Sequence, residues 1–230
     1  MKKQNYSYIG ITFVLLVFGI IFIPKIISRI QGDQIVDMDR HNLEHAAHKD
    51  LDLATIGPAP EFQLTNQRGE LLSSASLNGQ IYVVEFFFTT CPSICPIMTQ
   101  NLLKVQSAFA DEPGLSLISI TINPTFDTPE VLSDYAQKYG ITHPNWHLLT
   151  GEQDKIYAIA NKGFNLYVGP GAAIDGGFEH SGFFALVDDQ GMIRSRYDQY
   201  GNPIIYYDGL EAQQVSKLIN DISVLLKEKS

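Results

Sequence analysis

Residues 81–88, Ile-Tyr-Val-Val-Glu-Phe-Phe-Phe, are nearly all β-branched or aromatic. Such a run, short and without alternation, predicts a strand buried on both faces. Leu115-Ser-Leu-Ile-Ser-Ile-Thr121 predicts a second. Between them, Met98, Leu102, Leu103, Val105 and Phe109 recur at helical spacing. Before them, residues 62–65 alternate like a short strand and 66–69 read as a turn, as does Asn78-Gly79. Thr128-Pro129 opens a helix, with Asp127 or Thr128 as its cap, and Tyr139-Gly140 closes it. A short helix is expected over 153–161, and a glycine-rich loop over 163–182. Residues 183–187, 188–191 and 192–197 read as strand, turn and strand. Val215, Leu218, Ile219, Ile222 and Leu225 make one stripe of a final helix over 211–227. This order predicts an α/β fold with a mixed sheet flanked by helices.

The first 30 residues follow another pattern. Residues 4–24 carry no charge and show no polar face. Twenty-one uncharged residues suffice for one helix across a bilayer, which needs about 20. No small-residue cleavage site follows, and no cysteine stands nearby for a lipid, so an uncleaved single-pass anchor is expected over 1–30. Lys2 and Lys3 flank one side, Lys25 and Arg29 the other. With the terminal amine, this balance leans toward the N-terminus inside and the bulk of the chain outside the cytoplasm, on the periplasmic side of the inner membrane in a bacterium. Residues 31–57 read as an acidic connector and 58–230 as the globular domain. In the connector, His41, His45 and His48 would share one face of a helix, read as solvated rather than as a metal site.

Charge narrows the partners. Of 16 basic residues four flank the anchor, which leaves 12 against 25 acidic ones, a net −13. Phosphate backbones repel such a surface, so no nucleic-acid partner is expected.

The chain has two cysteines, Cys91 and Cys95, in Cys91-Pro-Ser-Ile-Cys-Pro96. A buried strand followed by a cysteine pair at a helix start is the thioredoxin-like arrangement. With Cys91 as the N-cap and Pro92 in the first turn, the helix dipole favours thiolate, and both sulfurs share one face. That spacing permits a redox-active disulfide, and it equally permits two sulfurs on one metal. Two thiolates select soft ions such as Cu(I), and an imidazole suits Cu(II) as well. Outside the connector the histidines are His143, His147 and His180. The first two read as surface residues. His180 ends the glycine-rich loop, from which it could swing toward the cysteines.

These elements together resemble the Sco/SenC family of copper proteins. The resemblance rests on Phe88-Thr-Thr-Cys-Pro-Ser-Ile-Cys-Pro96, Asp127-Thr-Pro-Glu130, Leu149-Thr-Gly151 and His180-Ser181 followed by Phe184-Ala-Leu-Val-Asp188. It spans roughly 58–227, plus the N-terminal anchor. It implies a thioredoxin fold that holds copper, as Cu(I) or Cu(II), through Cys91, Cys95 and His180. It also implies delivery to the copper-bearing subunit of cytochrome c oxidase or another copper or thiol protein. One departure is visible. Where the family commonly carries Asp-Pro after the central strand, this chain has Asn123-Pro124, which puts a docking or redox role of that carboxylate in doubt.

Three other chemistries were weighed against the residues. A thiol–disulfide reductase would keep a partner's copper-ligand cysteines reduced. Its pair is usually separated by two residues, and here the gap is three. A peroxiredoxin would carry a proline and a threonine ahead of its cysteine, where this chain has Val84 and Phe88. A zinc hydrolase would need an acid–base pair that no motif suggests.

Overall fold

The computed structural model describes residues 11–12, 15–24, 53–171 and 177–229. The chain forms two compact units, Met1–Ala47 and His48–Ser230. In the first, residues 15–24 are helical, with Leu15, Ile20 and Ile23 exposed. No helix among the described residues is long and apolar enough to cross a membrane. The rest of the expected anchor, and His41, His45 and His48 of the connector, lie outside the described residues.

The second unit is built on one mixed sheet. Its strands are β1 (Ala54–Pro58), β2 (Gln63–Asn66), β3 (Leu71–Ser73), β4 (Ile81–Phe87), β5 (Leu115–Thr121), β6 (Trp146–Thr150), β9 (Phe183–Val187), β10 (Met192–Ser195) and β11 (Tyr207–Asp208). Two further strands, β7 (Val168–Pro170) and β8 (Phe178–His180), make a separate hairpin. The helices are α1 (Cys95–Ala108), α2 (Pro129–Tyr139), α3 (Gln153–Ala158) and α4 (Ala212–Glu228). Strand order is β1-β10-β9-β4-β5-β6-β2-β3, with β11 beside β9. Strands β4, β5 and β6 are parallel and the other pairs antiparallel.

Every residue of β4 and β5 is buried, which accounts for their unbroken apolar runs. Parallel neighbours need crossovers, supplied by α1 between β4 and β5 and α2 between β5 and β6. Helix α2 has the expected ends: Thr128 Oγ1 accepts from Val131 N, and Gly140 takes the left-handed conformation at φ 71°. Helix α4 buries Val215, Leu218, Ile222 and Leu225. Its buried Asp221 accepts from Arg196 Nη2 at 2.6 Å and Tyr207 Oη at 2.7 Å, tying the helix to the segment around β11.

Three elements differ from the sequence expectation. Strand β1 takes in residues 54–57, which had been read as connector, and pairs with β10. Its alternation is obscured by an irregularity between Thr55 and Gly57 and by Pro58. Helix α1 starts at Cys95, capped by Ile94, so Cys91 is not its N-cap. Pro96 decides this. A helix capped by Cys91 would set Pro96 in its interior, where the ring clashes with a carbonyl four residues back and a hydrogen bond is lost. Starting at Cys95 keeps Pro96 in the first turn. Finally, the glycine-rich stretch holds the β7–β8 hairpin, so His180 stands on a strand.

Candidate metal centre

The sheet places one chemical cluster at the carboxyl ends of the parallel strands, where open α/β sheets characteristically bind ligands. Cys91 follows β4 in a tight turn, its N–H donating to Phe88 O at 3.2 Å. Cys95 begins α1 beneath it. His180 enters from the end of β8. Their ligand atoms all lie within 4.8 Å of one another. Three donors around one ion at metal–ligand distances of about 2.0–2.3 Å stand roughly 3.5–4 Å apart, so small adjustments suffice to hold a metal. Cys91 and Cys95 are free thiols.

Hydrogen bonds settle the histidine's tautomer. His180 Nδ1 lies 3.2 Å from Ser181 O. A carbonyl only accepts, so Nδ1 carries the hydrogen. The lone pair of Nε2 then faces Cys95 Sγ at 3.1 Å. A histidine fixed by a backbone carbonyl, with its other nitrogen free, is the usual state of a metal ligand. The ring packs edge-on to Phe88 at 5.9 Å between centroids, and Phe178 also tilts against Phe88.

The two thiols are made unequal by their surroundings. Cys91 is held well below the usual thiol range. The Cys95 thiol facing it is the largest cause, followed by His180 and the N–H groups of Cys95 and Ser93 against the opposing cost of burial. Cys95 N donates to Cys91 Sγ at 3.4 Å. Burial pushes Cys95 upward, and the neighbouring Cys91 pushes it further. These directions favour the thiolate at Cys91 and the thiol at Cys95. A pocket of about 310 Å³ opens over Cys91 and His180, walled by Phe88, Ile94 and Phe178, with Ser93 and Glu179 at its polar side.

Asp127 anchors this loop. It is fully buried and accepts from Thr89 N at 3.1 Å and from the hydroxyls of Thr89 and Thr121. Thr128 caps α2, which frees Asp127 to hold the turn two residues before Cys91. Its signal in the sequence is a pair of threonines, Thr121 at the end of β5 and Thr89 just beyond the end of β4. Asn123 follows β5 and donates its N–H to Thr121 Oγ1.

Among the described residues the other two histidines, His143 and His147, are structural. Both are buried rather than on the surface. His143 Nδ1 accepts from Asn145 N at 3.2 Å, and its Nε2 donates to Phe109 O at 3.1 Å. Burial and then Arg68 lower His147 to about 4, and its Nδ1 faces Arg68 Nη2 at 3.2 Å. Neither joins the cluster.

The SCO1/SenC family model matches residues 54–213. The chain belongs to the SCO1/SenC family. A SCO1 protein homolog of Bacillus subtilis is 29% identical over 163 residues, 70% of this chain and 79% of that protein. Among solved structures, a SCO1/SenC family lipoprotein from Bacillus anthracis is similar at TM-score 0.64 and 28% identity. That match covers 74% of this chain and 95% of the other. BsSco, a member of the Sco family of cytochrome c oxidase assembly proteins in which a disulfide switch was identified, matches at TM-score 0.62 and 28% identity, over 76% and 96%. Yeast Sco1 with copper bound matches at TM-score 0.55 and 26% identity, over 73% and 90%. The mixed sheet flanked by helices is the Sco thioredoxin-like fold.

Two thiols and one imidazole with a free Nε2 form a soft, three-coordinate donor set, and that chemistry fits copper.

Proposed function

We propose that this protein is a membrane-anchored copper chaperone. It holds one copper ion through Cys91, Cys95 and His180 and passes it to the copper-bearing subunit of cytochrome c oxidase. The observation that carries the reading is the convergence of Cys91, Cys95 and His180, their ligand atoms within 4.8 Å of one another and His180 Nε2 facing the Cys95 sulfur at 3.1 Å. His143, which stands outside the cluster, instead turns both ring nitrogens to backbone groups. Copper bound there would draw charge from both sulfurs. Binding needs both sulfurs as thiolates, and Cys95, pushed upward by burial and by Cys91, is the one from which copper must displace a proton. The pocket leaves one side of the ion approachable, and a partner's thiolates can replace the three ligands one at a time. The relation to Sco proteins named for cytochrome c oxidase assembly supports the choice of partner. The uncharged run over residues 4–24 supports a single membrane span with the copper domain outside the cytoplasm.

A second reading has its own support. Cys91 is the thiolate at the pocket mouth and Cys95 the protonated thiol below it, as in a nucleophile with its resolving partner. Cys91 would attack a partner's disulfide, breaking that S–S bond and forming a mixed one. Cys95 would then displace the partner's second thiolate, leaving the partner reduced by two electrons and Cys91–Cys95 oxidised.

Copper content separates the two. The full chain, reduced and loaded with excess copper, should retain one copper per chain and yield it to the soluble copper domain of the oxidase subunit. Cys91→Ser should retain none. Two or more coppers on the parent would reveal a site beyond this one. No retention by the parent, together with reduction of the subunit's disulfide, would establish the reductase reading.

A further inference from the structure

A ligand set assembled from two distant pieces of chain needs something to hold the pieces in register. His180 is 85 residues from Cys95. In the structure a short hydrogen-bond path connects the helix of one to the backbone just beyond the other. Asn101 lies on the buried side of α1, in line with Met98, Leu102 and Val105, a place where a polar side chain is costly unless bonded. Its Oδ1 accepts from Lys104 Nζ at 2.8 Å, which fixes the amide's orientation. Its Nδ2 donates to Gly209 O at 2.7 Å. Gly209 N in turn donates to Gly182 O at 2.7 Å, two residues beyond His180. Beyond that point β11 pairs with β9 through Tyr207–Phe184 and Asp208–Phe183.

The segment is fitted closely at this crossing. A Cβ on Gly209 would stand 2.7 Å from Phe184 Cζ and 2.9 Å from Gly182 O, so only glycine lets the two backbones meet. On the far side, Ser181 N donates to Tyr167 O, and Ser181 O receives His180 Nδ1. The backbone 180–182 is thus clamped between β7's approach and the Gly209 turn, and the Gly209 turn is tied to the cysteine helix by one amide.

We propose that Asn101 is a positioning residue for the metal centre. Through Gly209 and Gly182 it sets the imidazole of His180 against the sulfurs carried by the start of α1. The inference rests on the copper reading, because the imidazole needs placing only if it is a ligand. A purely structural amide would stabilise α1 and leave the histidine indifferent to its loss. A positioning amide acts selectively, on the species that depends on the third ligand. Cu(I) is held adequately by two thiolates, whereas Cu(II) gains more from imidazole.

The test uses the full chain with Asn101→Leu, close in shape to the parent residue, and Gly209→Ala as a second route to the same crossing. In the copper-free protein, exchange of the Gly209 amide hydrogen should quicken. The Nδ1–H resonance of His180 should lose its hydrogen-bonded shift, while the signals of β4 and β5 stay in place. After loading, affinity for Cu(II) should fall about tenfold or more and its electron paramagnetic spectrum should change, with Cu(I) affinity within about threefold of the parent. His180→Ala is the control. If His180→Ala binds Cu(II) like the parent, the copper reading itself fails and the inference with it. If His180→Ala loses Cu(II) while a folded Asn101→Leu or Gly209→Ala keeps the parent's Cu(II) affinity, spectrum and His180 resonances, the copper reading stands and the positioning role is overturned. A variant that loses Cu(I) and Cu(II) equally overturns it as well.

Discussion

Replacing Glu85 with Gln should change how the stability of the domain depends on pH. Glu85 sits in the middle of β4 with 1% of its surface exposed. Oε1 accepts from Ser119 Oγ at 2.6 Å, and that hydroxyl also receives Trp146 Nε1 at 3.0 Å. Oε2 is buried with no hydrogen-bond partner. Burial pushes the carboxyl from 4.5 up to about 8, against a smaller lowering by Ser119. The folded state therefore binds this proton more tightly than the unfolded chain does. The resulting stability is fully present below pH 4.5, drains away as pH rises, and is gone above about pH 8. At about 1.4 kcal/mol per tenfold change in proton binding, the whole span is worth about 5 kcal/mol. That is a large part of the ~5–15 kcal/mol typical of a domain. In Glu85→Gln the carbonyl can keep the Ser119 bond, and the amide N–H replaces the orphaned oxygen at a cost of about 1–3 kcal/mol. The variant should be less stable than the parent at pH 4.5 and more stable at pH 8.5, the curves crossing near pH ~6 if the amide costs ~2 kcal/mol. Urea unfolding of both copper-free proteins under reductant, in half-unit steps of pH, gives the difference with the groups not coupled to Glu85 cancelled. Parallel curves from pH 4.5 to 8.5 would show that burial does not raise the Glu85 carboxyl.

Other perturbations reach the loop, the thiols and the anchor. Iodoacetamide at pH 6 should label Cys91 and spare Cys95, because Cys91 is the thiolate at the pocket; mass mapping that finds Cys95 alkylated first would reverse their assigned states. Asp127→Ala removes three accepted hydrogen bonds from a buried site and should cost about 3 kcal/mol or more, with weaker copper binding because the Cys91 turn loses its tether; Asp127→Asn should lose less on both counts, and equal copper affinity in a folded Asp127→Ala would deny the tether any role. The full-length protein should stay with membranes through an alkaline wash, and its recovery in the soluble fraction would remove the anchor over residues 4–24.

Much of the fold could be read from the chain because its strongest signals are one-dimensional. Strands β4 and β5 are buried on both faces, and burial of that kind leaves an unbroken apolar run. Helix α4 wears one stripe because it lies on the sheet with one face. Strand β1 escaped because its residues are largely exposed and end in Gly57-Pro58, which read as punctuation. The start of α1 is set by Pro96, which must lie in the first turn, and Pro92 alone points to a start that is too early. The β7–β8 hairpin was hidden by its glycines and its three-residue strands. At the site, the cysteine spacing was legible as chemistry, but the partition of one thiolate and one thiol was not. That partition comes from three-dimensional neighbours: the Cys95 thiol, His180 and two backbone N–H groups converging on Cys91. The burial of His143 and His147 was equally invisible, since it is licensed by local partners at Phe109, Asn145 and Arg68. Asn101 did leave a trace, as a polar residue beside the apolar Met98, Leu102 and Val105 on one helical stripe.

The central claim is that Cys91, Cys95 and His180 hold one copper ion together. It is tested most directly by comparing the parent with His180→Ala, first with Cu(I) under anaerobic reducing conditions and then with Cu(II), while following the sulfur-to-copper charge-transfer absorption. The parent should bind both ions, and Cu(II) should give a charge-transfer band. His180→Ala should keep much of the Cu(I) and lose Cu(II) with its band, while Cys91→Ser and Cys95→Ser lose both. A His180→Ala variant that binds Cu(II) with the parent's affinity and spectrum would contradict it, and the cysteine pair would then stand as thiol chemistry alone.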